Sequence, residues 1–92
     1  MNAKYAVLFE GNNLLMQDPK THAWKRYGFF TTRLVEADQA KRAIRTATEL
    51  VWKELNDLGL AVSDVRLSVD DVVQVDSFQT EPPGKGFTFY PE

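Results

Sequence analysis

Within residues 38–59 the apolar side chains Ala40, Ala43, Ile44, Ala47, Val51, Leu55 and Leu58 recur at spacings of three and four. That period lines one side of a helix of about five turns. A greasy stripe of this length has to be covered. The only covering the chain offers is the set of Val-, Phe- and Tyr-rich segments on either side, which read as strands.

Asp38 is expected to cap the helix, its carboxylate accepting from free N–H groups two or three residues on, where negative charge suits the helix dipole. Gly59, just past the last turn, fits a left-handed C-terminal cap. On a helical wheel the apolar arc runs from Leu50 through Ala47, Ile44 and Leu55 to Thr48, with Trp52 on its margin. Arg45, Glu49 and Lys53 form an i, i+4 ladder opposite, which reads as a solvated face.

Residues 4–9 have strand composition and stop at Gly11-Asn12-Asn13; residues 14–16 are a short continuation or a returning strand. Residues 17–26 turn polar, with Pro19, His22 and one large apolar residue, Trp24, and read as an exposed loop. A second strand is expected over residues 27–35. Because Arg33 prefers water, its neighbours in alternation, Phe30 and Leu34, are assigned to the helix side. After the helix, residues 65–69 alternate strictly, Asp70-Asp71 interrupts, and residues 72–78 form another strand. Residues 82–86 make a Pro- and Gly-rich loop, and residues 86–90 a last strand at a sheet edge, since Pro91 lacks a backbone donor.

The expected fold is therefore α+β: one domain over residues 1–92, an antiparallel sheet of four to five strands, and one long helix on one face, in β-β-α-β-β order. One helix covers one side of a sheet. Tyr5, Val7, Phe9, Phe29, Phe87 and Phe89 are too many to lie on that side together, so the opposite face is expected to meet a second copy of the chain, giving a homodimer.

Ninety-two residues suffice for one core but not for a core plus a deep enclosed site. At 43% hydrophobic and 26% charged, the composition is that of a globular protein. There is no cysteine, hence no disulfide, thiolate or zinc finger. Neither a signal-peptide pattern nor a membrane-length apolar run is present, so a cytoplasmic location is expected. Residues 1–53 hold nine basic and five acidic side chains; residues 54–92 hold two and eight. Such polarity can steer a partner, unless folding interleaves the two halves.

No catalytic motif is found, and no cofactor or metal is implied. The five glycines are scattered and none opens the helix as a phosphate cradle would. His22 is the sole histidine and stands in a polar loop. Asp64, Asp70, Asp71, Asp76 and Glu81 lack the spacing of a calcium loop, so a solvated turn is favoured over a cation site. The most suggestive set is basic and aromatic: Lys25, Arg26, Tyr27, Arg33, Lys41, Arg42 and Arg45, with Trp24 and Trp52 nearby in sequence or along the helix. Cations near a helix N-terminus oppose the dipole, which points to contact with phosphate or an acidic protein surface. Against nucleic acid stand a pI near 5.3 and the lack of a helix-turn-helix or RNP-like motif.

Taken together, Lys4-Tyr5-Ala6-Val7-Leu8-Phe9-Glu10, the strand Gly28-Phe29-Phe30-Thr31-Thr32-Arg33 and the helix opening Glu36-Ala37-Asp38-Gln39-Ala40 resemble the small HicB-like proteins. The resemblance implies two strands, a helix begun at an Ala-rich segment, a further strand, and oligomers formed through the sheet. It covers about the first 55 residues and is one of pattern. The Pro-Asp-Leu-Pro-Gly-type turn of HicB-like antitoxins is absent, and the last third of the chain holds acidic strands in place of a DNA-binding segment. The chain is equally similar to various uncharacterised bacterial proteins of this size. The expected function is that of a non-enzymatic protein-interaction or assembly module, homodimeric through its sheet. An antitoxin-like or nucleic-acid-associated regulator is the alternative, and a metal-dependent enzyme comes third.

Overall fold

The structure, a computed structural model, describes residues 2–76 and 87–92. Its elements are β1 (Ala3–Gln17), β2 (Trp24–Ala37), α1 (Ala40–Asp57), β3 (Arg66–Val75) and β4 (Thr88–Pro91). The strands form one antiparallel sheet in the order β3-β1-β2-β4, with α1 on one face. The architecture is α+β.

Residues 14–16 make no fifth strand. They extend β1, which slips register between Gly11 and Leu14 and resumes pairing at Leu14↔Tyr27. Asn13 absorbs the slip with a left-handed φ of 69°, a conformation that Asn tolerates. It also joins three distant segments: its N–H donates to Glu92 Oε2 at 2.8 Å, its Nδ2 to the Asp64 carbonyl at 3.1 Å, and its Oδ1 accepts from Arg26 Nη1 at 2.7 Å. The expected loop over residues 17–26 shrinks to 18–23, because β1 and β2 keep pairing as far as Gln17↔Trp24. Asp18 closes it by accepting from the N–H groups of Lys20 at 2.7 Å and Thr21 at 3.2 Å. These bonds, with Lys25 alongside, hold its carboxyl below the usual range.

The helix buries Ala43, Ala47, Val51 and Leu55 against Tyr5, Val7, Phe9, Leu14, Phe29 and Val35. Alanines in its first half let the backbone lie close to the sheet. The Phe29 ring fills the space above Gly11, where a Cβ would lie 2.1 Å from the ring carbon Cζ. Phe87 and Phe89 meet Phe29 edge-on, with centroids 5.3 and 6.2 Å away. All six aromatic and aliphatic residues judged too many for the helix side are therefore on it, since β4 at the sheet edge carries Phe89, and the residue before the strand Phe87, around the helix flank.

The facing of β2 is also the reverse of that expected. Phe29, Thr31, Arg33, Val35 and Ala37 are buried toward the helix, whereas Phe30 and Leu34 lie on the opposite face. Water does not claim Arg33, because the fold supplies its partners: Nη1 donates to Thr31 Oγ1 at 2.5 Å and to the Thr32 carbonyl at 2.7 Å, and Nη2 pairs with the Glu54 carboxylate.

The helix start differs too. Gln39 occupies the cap position with no side-chain bond, and Asp38 pairs with Arg42 at 3.4 Å. The C-terminus is as expected: Gly59 has a φ of 73°, its N–H donates to the Asn56 carbonyl, and Leu60 N–H donates to that of Leu55. This is a Schellman closure.

Asp70-Asp71 does not break the chain into two strands. β3 runs through it with a bulge, the pairing to β1 jumping from Leu8↔Asp71 to Phe9↔Val69. The expected strand over 72–78 ends at Val75; Phe78 and the expected loop over 82–86 lie outside the described residues. Among the described residues β4 pairs only with β2, from Tyr27↔Pro91 to Phe30↔Thr88, which gives the edge position expected from Pro91. Among the described residues no helix is long and apolar enough to cross a membrane.

Candidate functional site

Of the basic and aromatic set, Lys41, Arg42 and Arg45 line one depression at the start of α1, with Gln39, Ile44 and Glu49; the two tryptophans are not part of it. Lys41, Arg42 and Arg45 are exposed on the first two turns of α1. Arg42 is tied to Asp38, and Arg45 faces Glu49 at 3.8 Å. Surface pairs of this kind contribute little to stability, but they offset two of the three positive charges a polyanion would meet. Trp52 is half-buried and packed against the core. Trp24 is 64% exposed and stands at the far end of the molecule, where it shares a depression with Leu15, Gly59 and Leu60 beyond the helix C-terminus. From Lys41 to Leu58 the helix axis alone rises about 25 Å. The sequence grouped these residues by wheel angle and proximity in the chain; the fold separates the tryptophans from the three cations along the helix axis.

The acidic residues likewise stay apart. No group of three or more His, Cys, Asp or Glu side chains able to hold a metal ion occurs among the described residues. Asp71 spends its carboxylate on the Val72 N–H, 2.8 Å away, and Glu81 lies outside the described residues.

The buried guanidinium is the feature that sequence reasoning missed. Arg33 is 2% exposed, its Cζ lies 5.0 Å from the centroid of the Phe87 ring, and its Nε is buried without a partner among the described residues. A signal for it existed. Glu54 falls inside the apolar arc of the wheel, between Leu50 and Ala47, and an acid in that position needs a cation from the facing sheet. The arrangement clamps β2 to α1, and a depression of about 300 Å³ lined by Glu54, Asp57, Leu58 and Phe87 opens beside it.

Among the described residues, the helix leaves the other face of the sheet uncovered. Alternation and register set Val75, Lys4 and Glu36 in one row across β3, β1 and β2, then Val73, Ala6 and Leu34, then Asp71, Leu8 and Thr32, then Ser68, Glu10 and Phe30. Phe30 is 46% exposed and Val73 43%, while Ala6, Leu8 and Leu34 are half-buried. Tyr90 borders this face: its ring lies over Gly28, where a Cβ would come 2.2 Å from it, and 5.3 Å from the Phe30 ring. The Tyr90 hydroxyl donates to Glu10 Oε2 at 2.8 Å. That bond, with burial and the carboxylate charges of Glu10 and Glu92, raises the phenol above its ordinary value of 10.0. The face thus carries Val73, Ala6, Leu8, Leu34 and Phe30 interleaved with Lys4, Glu36, Asp71, Thr32 and Glu10. Set against models of known protein families, curated proteins and solved structures, the chain matches none of them.

Proposed function

We propose that the protein is a non-enzymatic interaction module that works through the open face of its sheet, and that a second copy of the chain is the first occupant of that face. The observation that carries this reading is the strip of Val73, Ala6, Leu8, Leu34 and Phe30, in which Phe30 is 46% and Val73 43% exposed on the side away from the helix. An exposed apolar patch of this size, here interleaved with Thr32, Asp71 and Glu10, often serves as a contact site. Charge suits a second copy. Lys4 and Glu36 stand opposite each other in the end row, so a half-turn rotation sets each against its opposite in the other copy.

Size sets the affinity. Four rows on three to four strands span about 20 by 15–20 Å, or roughly 300–400 Å² of plan area per copy. The pair would bury roughly 600–800 Å², below the about 1,200–2,000 Å² of stable interfaces. A weak dimer follows, in equilibrium with monomer, with the two sheets packed face to face and both helices outward. Such a reversible contact is what an assembly subunit needs.

Sedimentation over the low micromolar to millimolar range tests this directly. The weight-average mass of the wild type is expected to climb from monomer toward dimer, and that of Phe30→Lys to stay at monomer. A wild type that remains monomeric throughout, or a folded Phe30→Lys that dimerises equally well, overturns the reading. The regulator reading, through Lys41, Arg42, Arg45 and Trp52, has its own check: Arg42→Glu with Arg45→Glu removes any salt-sensitive affinity for nucleic acid.

A further inference from the structure

β3 is the outermost strand of the sheet, and among the described residues no strand lies beyond it. Its ten residues include Val69, Val72, Val73 and Val75, of which Val69 is 41% exposed. A bare edge this long, this rich in β-branched side chains, is a template for strand addition. The copy most available to add is the same strand of another molecule.

Two features stand against that pairing. The bulge leaves Asp70 as an extra residue between Val69, paired with Phe9, and Asp71, paired with Leu8, so the edge bends at its midpoint. Asp71 then takes up the Val72 N–H with its own carboxylate at 2.8 Å, leaving one backbone donor fewer for a newcomer.

Symmetry makes the position of the aspartates decisive. In the antiparallel register that overlaps the whole strand with its copy, Arg66 of one chain faces Val75 of the other, and Asp70 therefore faces Asp71 twice. Cross-strand neighbours lie close enough for like charges to repel. Four carboxylates would crowd the centre of the ladder. We infer that the outer edge of β3 is a latent strand-pairing surface for a second copy of this chain, held closed by Asp70 and Asp71. This concerns the sheet edge and stands apart from the proposal for the sheet face.

The test uses the full chain with Asp70→Thr and Asp71→Thr, which restores β-branched side chains, and a second variant with Asp70→Asn and Asp71→Asn, which keeps a carbonyl for the Val72 N–H and removes only charge. Both are also made in the Phe30→Lys background, so that face contact cannot account for the result. Circular dichroism selects the variants that fold. At one protein concentration, folded neutral variants are expected to sediment with a weight-average mass higher than their parent's, climbing toward twice it in the Phe30→Lys background. If each folded variant sediments with its parent's mass, the inference is wrong; if the Thr pair fails to fold, the Asn pair decides.

Discussion

Glu54→Leu leaves the buried Arg33 guanidinium without its carboxylate. The Arg33 side chain is 3% exposed and that of Glu54 36%, so the pair is dry at one end and open at the other. Removing one partner of a fully buried pair costs about 3–5 kcal/mol. Water entering at the Glu54 end offsets part of that loss, so we expect about 2–3 kcal/mol. A domain of this size is stable by about 5–14 kcal/mol in all. The melting temperature should therefore fall by about 10–20 °C. Arg33→Met alone should cost less, because Glu54 can turn to water. The double variant Arg33→Met with Glu54→Leu should return to within about 1 kcal/mol of wild type, since a methionine needs no partner for the orphaned Nε. Urea unfolding of the four proteins at one low concentration measures the whole cycle. A Glu54→Leu protein within about 0.5 kcal/mol of wild type would refute the reasoning, because an unpaired guanidinium at a dry site cannot be that cheap.

Glycine substitutions report on the two places where rings lie on backbone. Gly11→Ala drives a methyl into Phe29, and should cost about 1–3 kcal/mol in thermal or urea unfolding. Gly28→Ala drives one into Tyr90; the expected result is faster hydrogen exchange in β4 with the helix still protected. For Tyr90, the phenol is raised above 10.0 in the folded state by its bond to Glu10, so the stability it contributes is present below pH 10 and is lost as pH rises through the folded value. Unfolding of the wild type should thus ease above pH 10 more than that of Tyr90→Phe, and parallel alkaline melts would show the difference.

How far the sequence reaches depends on the range of the interaction concerned. The helix over residues 40–57 and its Gly59 closure were legible because period and cap act within a few residues. So was the edge position of β4, since Pro91 carries its own constraint. The facing of β2 was not. Local preference sends Arg33 to water, and only Glu54 and Phe87, remote in the chain, reverse it. The cap at Asp38 failed on a similar competition, with Arg42 one turn on taking its carboxylate. Bulges at Asn13 and Asp70 read as strand ends because an extra residue breaks the alternation without breaking the strand. Proximity in the chain groups Trp24 with Lys41, Arg42 and Arg45, whereas β2 carries it to the other end of α1, beside Gly59 and Leu60.

Asn13 offers a practical handle. Its amide proton is held by a residue 79 positions away and its side chain by the backbone 51 positions away, so the first bond waits for the last strand and the second for the turn before β3, and the two stand together only once both have arrived. The backbone and side-chain cross-peaks of this one residue in a nitrogen-proton spectrum would consequently act together as a completion signal for both segments. Their joint appearance during refolding would time a late step of assembly rather than an early one.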